Sequence, residues 1–69
     1  MNKFSKRLKE LREDKGVSRQ ELADALFVSV RLISYWENGL RECSFDMLIK
    51  IATYFNESID YLLGYTDIQ

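Results

Sequence analysis

Between Ser18 and Gly39 the chain reads SRQELADALFVSVRLISYWENG, and this stretch constrains the fold more than any other. It holds two short segments of helical period, each with its own start signal. Only a tight turn fits between them. Ser18 with Glu21 three residues on has the spacing of a capping box, in which the serine hydroxyl accepts the amide at 21 and the carboxylate reaches back to the amide at 18. Leu22, Ala23 and Leu26 follow as one apolar stripe. The pattern breaks at Phe27-Val28, and Ser29 offers a second N-cap. Ile33 and Trp36 then recur at i, i+3, and Asn38-Gly39, which tolerate positive φ, stop the second segment.

The rest of the chain is organised around this pair. Phe4, Leu8 and Leu11 recur at i, i+4, i+7, which predicts a helix over 3–15 ended by Gly16. After a connection at 40–43 with no apolar period, Ser44 caps a segment whose Met47, Leu48, Ile51, Ala52 and Phe55 form a core stripe. Asn56-Glu57 breaks it. Ser58 caps a last short helix with Ile59, Leu62 and Leu63 inward, before Gly64. No sustained period-2 run and no hairpin turn appears. The expected fold is all-α: one domain spanning 1–69, with five helices at about 3–15, 18–26, 29–37, 44–55 and 58–63.

Sixty-nine residues lie at the small end for a self-sufficient core, but 46% hydrophobic content with four Phe, four Tyr and one Trp is enough to pack a compact bundle. No apolar run approaches the roughly 18 residues of a membrane span. The start, MNKFSKRLKEL, is charged throughout and does not read as a signal peptide. A single Cys cannot form an internal disulfide, which fits a reducing cytoplasm. With no His beside it, no transition-metal site is expected. Glu10, Glu13 and Asp14 crowd the end of the first helix without a nucleophile, His or metal cluster, and read as a solvated face. There is no Gly-rich phosphate loop. Nothing points to an enzyme or to a cofactor.

The net charge of −1 and the sequence pI of about 5.3 do not advertise a nucleic-acid binder. The distribution says more. Residues 1–41 hold nine Lys and Arg against six Asp and Glu, a net of +3, whereas residues 42–69 hold Lys50 against five acids, a net of −4. Such asymmetry suits one face turned to a polyanion and another turned away. Around the segment 29–37, Ile33 and Trp36 define an inward face, which leaves Val30, Arg31, Ser34 and Tyr35 outward. By period alone this is the solvated side of an ordinary helix.

The run GVSRQELADALFVSVRLISYWENG resembles the helix-turn-helix of the Cro-like or Xre-like phage-repressor family. The resemblance is carried by Gly16, Ser18, Glu21-Leu22-Ala23, Val28-Ser29, Ile33-Ser34 and Trp36-Glu37-Asn38-Gly39. It extends to Leu11-Arg12, to Leu48–Ala52 and to Ser58–Gly64, so it covers nearly the whole chain. It implies a lambda-repressor-like domain and a repressor-like transcriptional regulator that reads double-stranded DNA, helix 29–37 entering the major groove. Three positions depart from the family's habit: Arg19 stands for the usual Gln, Phe27 for Gly, and Cys43 for a frequent Pro. A bulky residue in a left-handed turn costs on the order of 1–2 kcal/mol unless the turn is reshaped.

The resemblance also assigns roles. Arg12 and Glu37 match the positions of a partly buried ion pair that orients the recognition helix. Val30, Arg31, Ser34 and Tyr35 are the expected base contacts, with Arg31 suited to guanine O6 and N7 and Val30 to a thymine methyl. Arg19, Ser29, Asn38 and Arg41 are the expected phosphate contacts, helped by free amides at helix N-termini. Tyr61, Tyr65 and Ile68 either fold back on the core or form a homodimer surface. An alternative of another class remains: the same scaffold used as a protein–protein module that pairs with or antagonises a regulator, favoured by apolar Val30, Leu32 and Tyr35 and by the acidic pI.

Overall fold

Serine hydroxyls start four of the five helices in the computed structural model, which describes residues 2–68. The helices are α1 (Phe4–Asp14), α2 (Arg19–Leu26), α3 (Val30–Glu37), α4 (Phe45–Phe55) and α5 (Ile59–Leu63). Ser18, Ser29, Ser44 and Ser58 each hold extended backbone and accept the amide three residues on, at 3.0–3.1 Å. At Ser18 the capping box is complete, with the Ser18 amide donating to Glu21 at 3.1 Å. The exception is α1. Its cap position is Lys3, which makes no side-chain bond, and the Asn2 carboxamide oxygen takes the Phe4 amide at 3.0 Å instead. The five-helix, all-α architecture expected from the sequence is the one found.

The helix ends are equally regular. Each helix is followed by a residue at positive φ: Gly16, Phe27, Gly39, Asn56 and Gly64. Each of these closes a paired turn in which two amides return to carbonyls of the last helical turn. At the end of α2, the Val28 amide reaches the Ala23 carbonyl at 3.0 Å and the Phe27 amide reaches Asp24 at 3.4 Å. The turn is therefore not reshaped to suit Phe27. Phe27 adopts the left-handed conformation, φ 58° and ψ 44°, and its side chain lies 89% exposed. The strain is offset by what the turn places next: Val28 packs on the core, and Ser29 is set to cap α3.

The core takes Phe4, Leu8 and Leu11 from α1, Leu22, Ala23 and Leu26 from α2, and Ile33 and Trp36 from α3. Leu48, Ile51, Ala52 and Phe55 from α4 and Leu62 from α5 complete it. α1 packs on α3 and α5, α2 on α3 and α4, and α4 on α5.

A polar clasp joins the two ends of the described chain. Arg7 is buried, on the same α1 stripe as Phe4 and Leu8. Its guanidinium donates to the carbonyls of Tyr61 at 2.9 Å and Thr66 at 3.1 Å and to the Asp67 carboxylate at 2.5 Å. It also lies over the Tyr61 ring, 4.1 Å from the centroid. Beside it the Lys3 amide donates to the Leu63 carbonyl at 3.1 Å. Gly64 is held so close that an added Cβ would come 2.7 Å from Lys3 Cγ, and its φ of +82° also demands glycine. The hydrogen bond from Arg7, then the charge of Lys3, holds the Asp67 carboxyl below the usual carboxylate range.

Two outcomes follow from these ends. Phe27→Gly removes the left-handed strain, about 1–2 kcal/mol, against a smaller unfolded-state penalty of about 0.4–1 kcal/mol. Because the ring packs on nothing, the variant should melt a few degrees higher, about 4–8 °C per kcal/mol for a chain of this size; a scan showing an unchanged or lower midpoint contradicts this. Asp67 has a lowered folded pKa, so its contribution is present above the unfolded value of about 3.9 and is lost as pH falls through the folded one. Asp67→Asn should therefore lower stability at neutral pH, and its difference from the parent chain should shrink as pH falls through the lowered folded pKa, as read by urea midpoints along an acid series.

Candidate nucleic-acid interface

The site is built around a carboxylate. Glu37, at the last residue of α3, has a side chain with no exposed area, and two arginines meet it. Arg12 from α1 grips it twice, Nε to Oε2 at 2.6 Å and Nη2 to Oε1 at 3.2 Å, and turns Nη1 to the Val17 carbonyl at 3.0 Å. Arg19, the first residue of α2, adds Nε to Oε1 at 3.1 Å. The hydrogen bonds to Glu37 raise the Arg12 pKa above its ordinary value against the opposing pull of burial. One carboxylate thus ties α1, α2 and α3 together. Ile33 and Trp36, both buried, seat the same face of α3 in the core.

With that face fixed, the outer face of α3 is defined. Arg31 is exposed one residue inside the capped N-terminus, and Ser34 and Tyr35 are half-buried beside it. Ser29, Arg31, Leu32, Tyr35 and Arg41 line one shallow depression. The loop after α3 is drawn back over it: the Leu40 amide bonds the Tyr35 carbonyl at 2.9 Å, and the Arg41 guanidinium lies 5.2 Å from the Tyr35 ring centroid. Arg31 and Arg41 therefore border one hollow although ten residues apart in sequence.

The structure gives several of the candidate residues further contacts. Val30 is not free on the outer face. It stands three residues before Ile33, so it continues the buried stripe, and it packs half-buried on the core. Arg19 is bound to Glu37 as well as facing solvent, its side chain 40% exposed. Asn38 is exposed just beyond α3, and Ser29 uses its hydroxyl oxygen to cap the helix. Tyr61 does not stand with Tyr65 and Ile68. It lies half-buried beneath Arg7, and only Tyr65 and Ile68, 85% and 80% exposed, face outward.

The reading of single residues missed Arg7 and the second arginine on Glu37. A signal for the first existed: positions 4, 7, 8, 11 and 12 share one helical face, and Arg7 and Arg12 stand on it among Phe and Leu. Cys43 is half-buried, and burial pushes its thiol pKa up, which leaves it an unreactive thiol at neutral pH. Among the described residues no helix is long and apolar enough to cross a membrane.

The helix-turn-helix family profile matches residues 8–62, which includes all of α2 and α3. The chain belongs to the Xre/Cro-like helix-turn-helix family. Over 65 residues it is 36% identical to the HTH-type transcriptional regulator ImmR of Bacillus subtilis (strain 168), covering 94% of this chain and 51% of that protein. A transcriptional regulator from Listeria innocua superposes with a TM-score of 0.89 at 32% identity, covering 100% of this chain and 64% of that one. The P22 c2 repressor, solved in complex with a synthetic operator, shares the fold with a TM-score of 0.86 at 24% identity, over 96% of this chain and 100% of that one. The chain spans about half the length of ImmR.

Within this helix-turn-helix the two arginines on Glu37 should behave unequally. Arg12→Ala leaves a buried carboxylate short of its main partner and should cost about 3–5 kcal/mol. Arg19→Ala removes a partly exposed pair and should cost no more than about 1 kcal/mol. Urea unfolding of both variants checks the contrast, and equal losses would contradict it.

Proposed function

We propose that the chain is a sequence-specific double-stranded DNA-binding transcriptional regulator, with α3 in the major groove and Arg31 as its leading base reader. The observation that carries this reading is the pairing of a fixed inner face with a cationic outer one. Ile33, Trp36 and the Glu37–Arg12 pair hold α3 in the core, while Arg31 stays exposed next to a capped N-terminus. Recognition helices of this motif meet base edges with their N-terminal residues. Arg31 reads guanine, Tyr35 and Ser34 contact the groove beside it, and Arg19, Ser29, Asn38 and Arg41 hold the phosphates. Val30, packed on the core, has a lesser part.

The same reading has two copies of the chain on a pseudo-palindromic site. Tyr65 and Ile68 are the apolar side chains that the end of the described chain leaves outward, and they support a two-fold contact there. The regulator works in the cytoplasm and does no chemistry on its ligand. The rival reading, a protein–protein module on this scaffold, has two of its supports weakened, because Val30 and Leu32 both pack half-buried on the core.

Selection from a random duplex pool, followed by titration of variants, tests the proposal. Arg31→Ala should cost about 1–3 kcal/mol on the selected site and relax discrimination at one base pair. Two half-sites about 10–10.5 bp apart should bind more tightly than one. Equal losses for Arg31→Ala on every sequence would make Arg31 a phosphate contact, and absence of any duplex affinity would favour the protein-binding module.

A further inference from the structure

Arg12 alone satisfies Glu37. It engages both carboxylate oxygens, at 2.6 and 3.2 Å, and brings the one positive charge the carboxylate requires. The Arg19 charge in this cluster is therefore surplus to the pair. A partly exposed arginine adds little to stability by joining an ion pair that is already complete. Yet Arg19 is held there at a defined point, through Nε at 3.1 Å, with its side chain 40% exposed. A guanidinium carries five N–H donors in a rigid plane. Among the described residues, Arg19 makes its one hydrogen bond with the Nε donor, which leaves the four Nη donors.

We infer that Glu37 is a positioning residue for Arg19: the buried carboxylate fixes the Arg19 guanidinium by its Nε edge and so presents the Nη donors, as an oriented fork, to a single phosphate of the DNA backbone. This rests on the reading of the α2–α3 face as a duplex-binding surface, and it adds a division of labour. Arg12 neutralises Glu37, and Glu37 aims Arg19. Side-chain entropy that a free arginine loses on gripping phosphate is here already lost in the free protein. The substitution that separates this idea from plain charge attraction is lysine. A lysine ammonium carries three rotatable donors and no planar fork, so even where it touches Glu37 it offers phosphate no fixed pair of N–H groups.

The test is binding of the full chain to random-sequence duplex DNA across a salt series, for the parent chain, Arg19→Lys and Arg19→Gln, with thermal midpoints recorded for all three. Arg19→Lys keeps the charge, yet it should lose about tenfold in affinity and fall close to Arg19→Gln. The slope of log K against log salt should shrink for Arg19→Gln by about 0.9. Midpoints should stay within a few degrees of one another, so that unfolding does not explain the loss. A protected Arg19 Nε–H signal in a nitrogen–proton correlation spectrum should persist when duplex is added. Lysine binding as tightly as the parent chain, or loss of that signal in the complex, overturns the positioning role while leaving the DNA-binding reading in place. A parent chain with no salt-sensitive duplex affinity overturns both.

Discussion

A carboxylate buried at the end of a helix sets the geometry of this protein. Glu37 has no exposed side-chain area, and an ionised carboxylate can be buried only with a cation that also satisfies its oxygens. Arg12 does this with two nitrogens on two oxygens. The consequence is positional more than energetic. Apolar contacts such as those of Ile33 and Trp36 tolerate a helix sliding or turning by a fraction of a residue. A bidentate ion pair between α1 and α3 does not, because a small displacement strands a buried charge. Every group on the outer face of α3 inherits its place from that pair, Arg31 first among them.

Three of the five helices are short. α2 and α3 have eight residues each and α5 has five, well below the length at which an isolated helix is stable in water. Free amides and carbonyls are a large share of such helices, so their ends must be satisfied within the chain. Serine at each start and a left-handed residue at each end achieve this from α2 to α5. The same chemistry sets the angle between α2 and α3. The paired bonds at Phe27 and Val28 close α2, Val28 is pinned on the core, and Ser29 begins α3 two residues after Phe27. Phe27 holds a conformation that glycine adopts more readily, because caps on both sides of the turn fix the backbone.

What is local in this structure was legible in the sequence. Ser18 with Glu21, Ser29, Ser44, Ser58 and the apolar stripes give five helices whose observed ends differ by a residue or so from those read by pattern. What is not local was harder to read. An arginine is normally a surface residue, and nothing near Arg7 in sequence reveals that Tyr61, Thr66 and Asp67 gather around it. The choice for Tyr61 between core and dimer surface stayed open in the sequence for the same reason, since its cover comes from α1. Arg41 over Tyr35 depends on how the loop after α3 turns back. The core contact of Val30 was also hidden: positions 30, 33 and 37 lie on one line of the helix, and the burial of Glu37 widens the inner face enough to show it.

An acidic chain with a net charge of −1 is compatible with a DNA-binding surface. Affinity for a duplex depends on the number of phosphates neutralised at the contact, since each releases condensed counterions, and the net charge of the whole molecule enters only through the longer-range field. Here the cations cluster in the first 41 residues, which include the arginines on Glu37 and those bordering the hollow on α3. The last 28 residues are acidic, with Asp46, Glu57 and Asp60 on or beside α4 and α5. Charges segregated onto opposite sides of a molecule turn the basic side toward a polyanion during approach and disfavour docking by the other. The weak net charge also limits unspecific attraction. What remains must come from a few aimed groups, and a protein in that position gains more from fixing one arginine with a buried carboxylate than from adding another free lysine.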